Sequence, residues 1–492
     1  VDRSRGLGDV YKRQVFMEPL TVVKVSRIKS FELVTHHRFA CLKMFKCLEE
    51  HSMENKFKNI SKVIYSHLNK DELLTLSFTG EESQFIRLNN AKIRQTGLVN
   101  DADIHMKMIA NGRTCTGSFT LSGNDDIDTK RAGLEIERMR LESTQILEDP
   151  YLIIPKGSGS SREIKNSNGL NFKDAVDAIL PGIQGVDFVG ILSNGKMYRG
   201  NSNSLGQEHW FETESFSLDY SLVATNHQMV KGTFAGTDWD QNEYEGYLKQ
   251  SKKKLELMEL SPVKVETGNY KTWFEPAAVS DFLNMFSWNG ISEASIQQGC
   301  SGFGKMRNDN VRLSSKFSIS ENFSSGLVPK FNSDGEVSAE ELKIISSGEL
   351  KNTLISSRTA NEYNRTSNFA ESGEYLRSPF MEPGSLDQSD VLKQIDKGLY
   401  LSNIHYLNWS DNPNGRITGL TRYACFWVEN GEIVGPINTM RFDDSFYNYF
   451  GDNLLEVGSK TEFIPNTSTY GNREIGGTTC PGILADSFAL TL

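Results

Sequence analysis

Short apolar runs rich in β-branched and aromatic residues, cut by Gly, Asn and Pro, return along this chain from Leu74 to its last residue, and they constrain its fold most. Such runs pair into sheets, and the turn residues between them favour hairpins over long crossovers. Residues 74–79 and 83–89, on either side of Gly80, with 91–96 after Asn89 and Asn90, read as a strand meander that 103–121 continues. A second set covers 186–192, 196–200 and 210–223, and Asn194-Gly195 predicts a hairpin turn between the first two. Helical spacing interrupts the strands at 56–74, where Phe57, Ile60, Val63, Ile64 and Leu68 share a face, and again at 128–147, 172–180 and 242–260. In the last of these Lys252, Lys253 and Lys254 are assigned to a solvated face. After Pro262 one clear helix, 276–286, gives way to many short strands up to Leu492.

A chain of 492 residues exceeds what one core usually organises. The expectation is an α+β protein: an N-terminal α/β part, 55–261, with antiparallel sheets and flanking helices, then a β-rich C-terminal domain, 262–492. Within the first, the Gly/Ser-rich segment 156–161 reads as a flexible loop that divides two subdomains near 155–165. Residues 1–14 resemble translated sequencing-adapter read-through and are expected to add nothing to the fold, with 15–54 as a leader of uncertain structure.

Charge and composition exclude some functions. Lys and Arg number 53 against 63 Asp and Glu, a net charge of −10, which argues against nucleic-acid binding through phosphate neutralisation. No apolar run is long enough to cross a bilayer, so no membrane role is expected. Six scattered cysteines read as reduced thiols, and a cytoplasmic location is the expectation.

Chemical motifs are few. His37, Cys41, Cys47 and His51 have zinc-compatible residue types, but their spacing matches no known finger and they are read as incidental. Gly299 to Lys305 fits the first part of a phosphate-binding loop, yet Met306 replaces the hydroxyl that would hold magnesium, so nucleotide binding is not assigned. Outside His36-His37 no two histidines lie within helical reach, which leaves convergence of His105, His209, His227 or His405 unsupported. Cys425 sits in an apolar strand and reads as core, while Cys115 and Cys480 have no activating charge beside them.

Four stretches of the second half carry further information. Residues 268–283 lead from a strand into a helix that opens at Glu275-Pro276, where proline suits the first turn. A glycine-led strand from Gly398 runs to the loop 412–418; 424–437 forms a hairpin on Asn430-Gly431; and 480–490 is a closing strand led by Pro481. In this order they resemble the TldD/PmbA family, also described as modulators of DNA gyrase and as peptidase U62, and with 83–93 the likeness runs from about residue 55 to the end.

That resemblance implies a metallopeptidase family. Its TldD-type members carry H-E-x-x-x-H at the start of this helix and a cysteine ligand near the carboxy terminus; here Phe274 and Val279 stand at the two histidine positions. Glu275 is the only remnant of the catalytic motif, and Cys480, beside Pro481-Gly482, is not assigned as a ligand. No catalytic, cofactor-binding or metal residue is therefore expected in this chain, and zinc is expected in a TldD-type partner. The implied role is a PmbA/TldE-like non-catalytic subunit, joined to that catalytic subunit as a hetero-oligomer, helping to form the cleft where unfolded peptide is cut. Loops 412–418 and 471–479 would then face partner or substrate. A self-sufficient peptidase or hydrolase with an unrecognised metal or nucleophile site, and a stand-alone peptide-binding protein, are the alternatives.

Overall fold

The computed structural model of the protein describes residues 52–492, of which Met53–Leu492 make one compact unit. The adapter-like segment, the leader up to residue 51 and the group His37, Cys41, Cys47 and His51 lie outside the described residues.

Helix α1 (Met53–Ser66) turns Met53, Phe57, Ile60 and Ile64 onto the first sheet. Strand β1 (Leu73–Asn89) reverses at Asn90 and Ala91, both left-handed at φ 50° and 51°, into β2 (Lys92–Ala110), and β3 (Arg113–Thr120) follows. The runs on either side of Gly80 are thus one 17-residue strand rather than two. Gly80 is not a turn: a Cβ there would lie 2.9 Å from the Phe78 ring, so the missing side chain makes room inside the strand. Then come α2 (Asp125–Ser143), with Asn124 as N-cap, β4 (Ser161–Ile164), α3 (Ala175–Ile183), β5 (Asp187–Asn203), β6 (Glu208–Val223), β7 (Met229–Gly236) and α4 (Gln241–Met258), capped by Asp240. The strand order is β3-β2-β1-β5-β6-β4 with β7 beside β6, and β4 with β6 is its one parallel pair.

The hairpin expected at Asn194-Gly195 does not form. β5 runs straight through it with β1 on one side and β6 on the other; Asn194 is buried and donates to the Leu170 carbonyl. Gly195 has φ 137°, and a Cβ would stand 2.2 Å from the Glu82 carbonyl oxygen. Glycine serves close strand approach here, and two flanking strands outweigh local turn propensity.

The second sheet opens with β8 (Gly268–Phe274) and α5 (Pro276–Phe286), the latter matching the predicted helix. Short elements follow: α6 (Glu293–Gln297), α7 (Gly304–Asn308), β9 (Ile319–Asn322), β10 (Glu341–Ser346), β11 (Glu349–Leu350), α8 (Ser357–Tyr363), β12 (Pro379–Met381) and α9 (Val391–Ile395). The remainder is β13 (Gly398–Asp411), β14 (Arg416–Glu429), β15 (Glu432–Pro436), β16 (Arg441–Ser445), β17 (Leu454–Pro465) and β18 (Gly477–Leu490). Strands in this last part are long, 14 residues in β13, β14 and β18, where short ones were expected. The turn into β15 has Asn430 at φ 54° and Gly431 at φ 73°, the type I′ geometry that Asn-Gly predicts. β8 pairs with β13 and also with β18, so β8, β13, β14, β16 and β18 close into a ring. The fold is the expected α+β class, with sheets of seven and eleven strands.

One apolar cluster joins the two sheets. It takes Phe188 and Tyr220 from the first, Tyr244 and Leu248 from α4, and Trp273, Tyr400 and Phe426 from the second. Helix α4 therefore lies between the sheets, and this brings a side chain from the first half of the chain to the start of α5.

Candidate functional site

The site is the junction of β8 and α5. Glu275 is the N-cap of α5, held by its own N–H to the Leu401 carbonyl at 2.9 Å, with Pro276 in the first turn. Its carboxylate is engaged on both oxygens: Lys254 Nζ of α4 lies 2.5 Å from Oε1 and 2.7 Å from Oε2, and the Tyr400 hydroxyl donates to Oε1. An ammonium and a phenol thus occupy the lone pairs that a general base would need free for water. Tyr400 is buried, and burial, followed by the charge of Glu275, raises its pKa well above the ordinary phenol value, so the hydroxyl stays a donor.

The neighbouring positions are filled by core. Phe274 is fully buried and packs edge-on against Phe488, centroids 4.8 Å apart, and against Phe282 at 5.4 Å. Val279 is equally buried. Phenylalanine and valine carry no donor atoms for a metal, and the room they occupy is closed by aromatic packing.

The structure also brings Cys480 here. Its Sγ donates to the Pro276 carbonyl at 3.2 Å, so the closing strand does reach the start of α5. Burial, and then the charges of Glu462 and Asp281, raise the thiol well above its usual pKa, whereas a metal ligand or nucleophile must be thiolate. Glu462 of β17 is exposed as a residue, yet loss of hydration around its carboxyl and then the charge of Glu275 raise its pKa, with Lys254 opposing. Asp281, one turn into α5, is pushed up to about 7 by burial. Among the described residues no group of three or more His, Cys, Asp or Glu is placed to hold a metal ion. The donor set at α5 does not fit zinc.

The other candidates lie apart. His209 is buried, with Nδ1 2.8 Å from Ser161 Oγ and its ring stacked on Phe331; His105 and His405 are exposed on strands, and His227 sits in a turn at φ 67°. Cys425 is core, its thiol pushed up to about 11 by burial, and Cys115 is buried too. Residues 299–303 form a turn between the short helices α6 and α7 with no strand before it, and Lys305, in α7, faces the Tyr447 ring.

Three site residues escaped the sequence reading: Lys254, Tyr400 and Glu462. Lys254 corrects the assignment of three lysines to a solvated face, since only Lys253 is exposed and Lys252 donates to the Gly182 carbonyl at 2.7 Å. A signal was present. Buried Tyr244, Leu248, Ser251 and Met258 recur at helical spacing, and Lys254 falls on that stripe three residues after Ser251. Tyr400 alternates with buried Leu399 and Leu401, which places it on the opposite face of β13, towards α4.

The two loops assigned to partner or substrate also differ. In 412–418, Asn412 Nδ2 donates to the Cys300 carbonyl at 2.6 Å and Arg416 already begins β14. In 471–479, Arg473 is buried in the first sheet and residues 477–479 belong to β18.

The second half of the chain thus closes a strand ring against helix α5, with Glu275 at the helix start between buried Phe274 and Val279 and, among the described residues, no donor set for a metal. Residues 267–491 match the PmbA/TldA metallopeptidase C-terminal domain, so the second half of the chain is similar to the TldD/PmbA family. The fold as a whole is shared with three crystal structures. Thermococcus kodakarensis TldE superposes with a TM-score of 0.68 at 15% identity, covering 89% of this chain and 100% of that one. A proposed modulator of DNA gyrase from Thermotoga maritima gives 0.67 at 15%, covering 88% and 100%. Another from Bacteroides thetaiotaomicron gives 0.69 at 14%, covering 89% and 99%. No curated protein matches the chain. No helix among the described residues is long and apolar enough to cross a membrane.

Proposed function

We propose that this chain is a non-catalytic, TldE-like subunit of a TldD/TldE-type zinc metallopeptidase, acting in the cytoplasm beside a TldD-type subunit that holds the metal and cuts unfolded peptide. The observation that carries this reading is the state of Glu275: the one residue left of the catalytic motif is bound by Lys254 and Tyr400, between buried Phe274 and Val279. A hydrolytic zinc needs three protein ligands and an open position with a base beside the bound water. Here the imidazole positions are hydrocarbon and the base is already occupied.

The test is metal analysis and casein cleavage by the purified chain, alone and co-expressed with a TldD-type partner. The expected result is no bound zinc and no cleavage alone, with a stable complex and chelator-sensitive cleavage when the partner is present. Stoichiometric zinc in the isolated chain, or proteolysis that a chelator abolishes, overturns the reading in favour of a self-sufficient enzyme. Failure to form the complex leaves the stand-alone peptide-binding role.

A further inference from the structure

A cavity of about 170 Å³ lies far along the chain from the α5 site, between β1 and β2, the segment 153–159 and the turn that carries Gly335. Ile109, Ile153, Pro155, Val337 and the Phe369 ring form its apolar wall. For scale, an apolar cavity of roughly 150 Å³ takes up a benzene ring.

The polar groups around it are unevenly satisfied. Its two carboxylates are engaged: Asp334 pairs with Lys107 at 2.7 Å, and Glu336 accepts from Ser357 Oγ at 2.6 Å and from Asn332 Nδ2. Its donors are not. Among the described residues the Lys156 ammonium has no carboxylate partner and rests only over the Phe369 ring, 5.3 Å from its centroid. The hydroxyl of Thr75, a buried residue, makes no hydrogen bond to the described residues, and neither does that of Ser158. Free donors with occupied acceptors, set on a hydrocarbon wall, call for a ligand that brings acceptors and an apolar body.

From this we infer that the cavity binds an apolar carboxylate, with its hydrocarbon part against Phe369 and Val337 and its carboxylate on Lys156 and Thr75. A carboxylate beside an aromatic or branched group occurs both in small organic acids and at the carboxy terminus of a peptide ending in an apolar residue. The site shares no residue with the Glu275 cluster, so it stands whether or not the subunit reading above holds.

The test is calorimetric or NMR titration of the full chain with N-acetylphenylalanine, its amide, and a decapeptide ending in Phe with a free or an amidated terminus. The free acid is expected to bind about fivefold more tightly than its amide, the factor that one solvent-exposed ion pair supplies. Lys156→Gln, in an exposed segment, is expected to bring that ratio to about one, and Thr75→Val to lower it without affecting the amide. A free-terminus peptide binding more tightly than N-acetylphenylalanine assigns the site to peptide ends; equal affinities assign it to small acids. Equal binding of acid and amide, no binding of either, or an unchanged ratio in Lys156→Gln overturns the inference.

Discussion

Lys254 and Glu275 are each mostly covered, with 27% and 16% of their side chains exposed, and each is the other's compensating charge. Removing one strands the other in a partly desolvated site. Lys254→Met is therefore expected to destabilise by about 2–4 kcal/mol, below the ~5 kcal/mol extreme for fully buried pairs because solvent still reaches the ammonium. Adding Glu275→Gln to it should recover about half of that loss, as a urea-denaturation double-mutant cycle would register; strictly additive losses would mean that the pair is not coupled. Asp281 behaves oppositely. Its folded carboxyl titrates at about 7 and its unfolded one near ~4, so the folded state holds the extra proton between those values. The contribution of this group to stability therefore falls as pH rises through that window and is lowest above it. Asp281→Asn is expected to gain stability relative to the parent at pH 8 and to show a smaller difference between pH 5 and pH 8; an unchanged difference would refute the assignment.

At the level of elements, what the sequence disclosed depended on whether local pattern and tertiary contact agreed. Helix α5 and the Asn430-Gly431 turn were legible because proline, apolar spacing and Asn-Gly chemistry act within a few residues. Asn194-Gly195 misled because the same dipeptide serves a sheet interior when strands press on both sides, and nothing within β5 announces β1 and β6. Gly195→Ala should make the distinction measurable. A Cβ at 2.2 Å from the Glu82 carbonyl oxygen, with φ 137°, forces β1 and β5 apart, and a loss of at least about 2 kcal/mol is expected by chemical denaturation. A neutral effect would indicate a turn free to relax. Glu275 at the start of α5 was legible from the Glu-Pro pair ahead of the apolar spacing, whereas Lys254 and Tyr400 reach it from about 20 and 125 residues away, a distance no local pattern spans.

Across the whole molecule, the two sheets are tied not only by the shared apolar cluster but by Arg473. From the segment between β17 and β18 it enters the first sheet, where its guanidinium donates to Ser83 Oγ at 3.1 Å, to the Gly195 carbonyl at 3.3 Å and to the Ser215 carbonyl at 3.0 Å. Its backbone N–H donates to buried Glu81, and burial draws the guanidinium down to about 10. Arg473→Met takes a donor from each of those acceptors and leaves Glu81 with Arg199 as its remaining nearby cation, for an expected loss of about 2–4 kcal/mol. Limited proteolysis should then cut the variant first within 466–476; an unchanged cleavage pattern would show that the apolar contacts alone hold the segment.

The strand ring has a consequence for synthesis. β18 supplies partners to β8, β12, β16 and β17, all made before it, and β17 pairs with no other strand among the described residues, so the ring stays open until β18 is synthesised. Nascent chains that carry all of the second sheet but this strand expose unpaired edges, and they are the species a chaperone would have to shield.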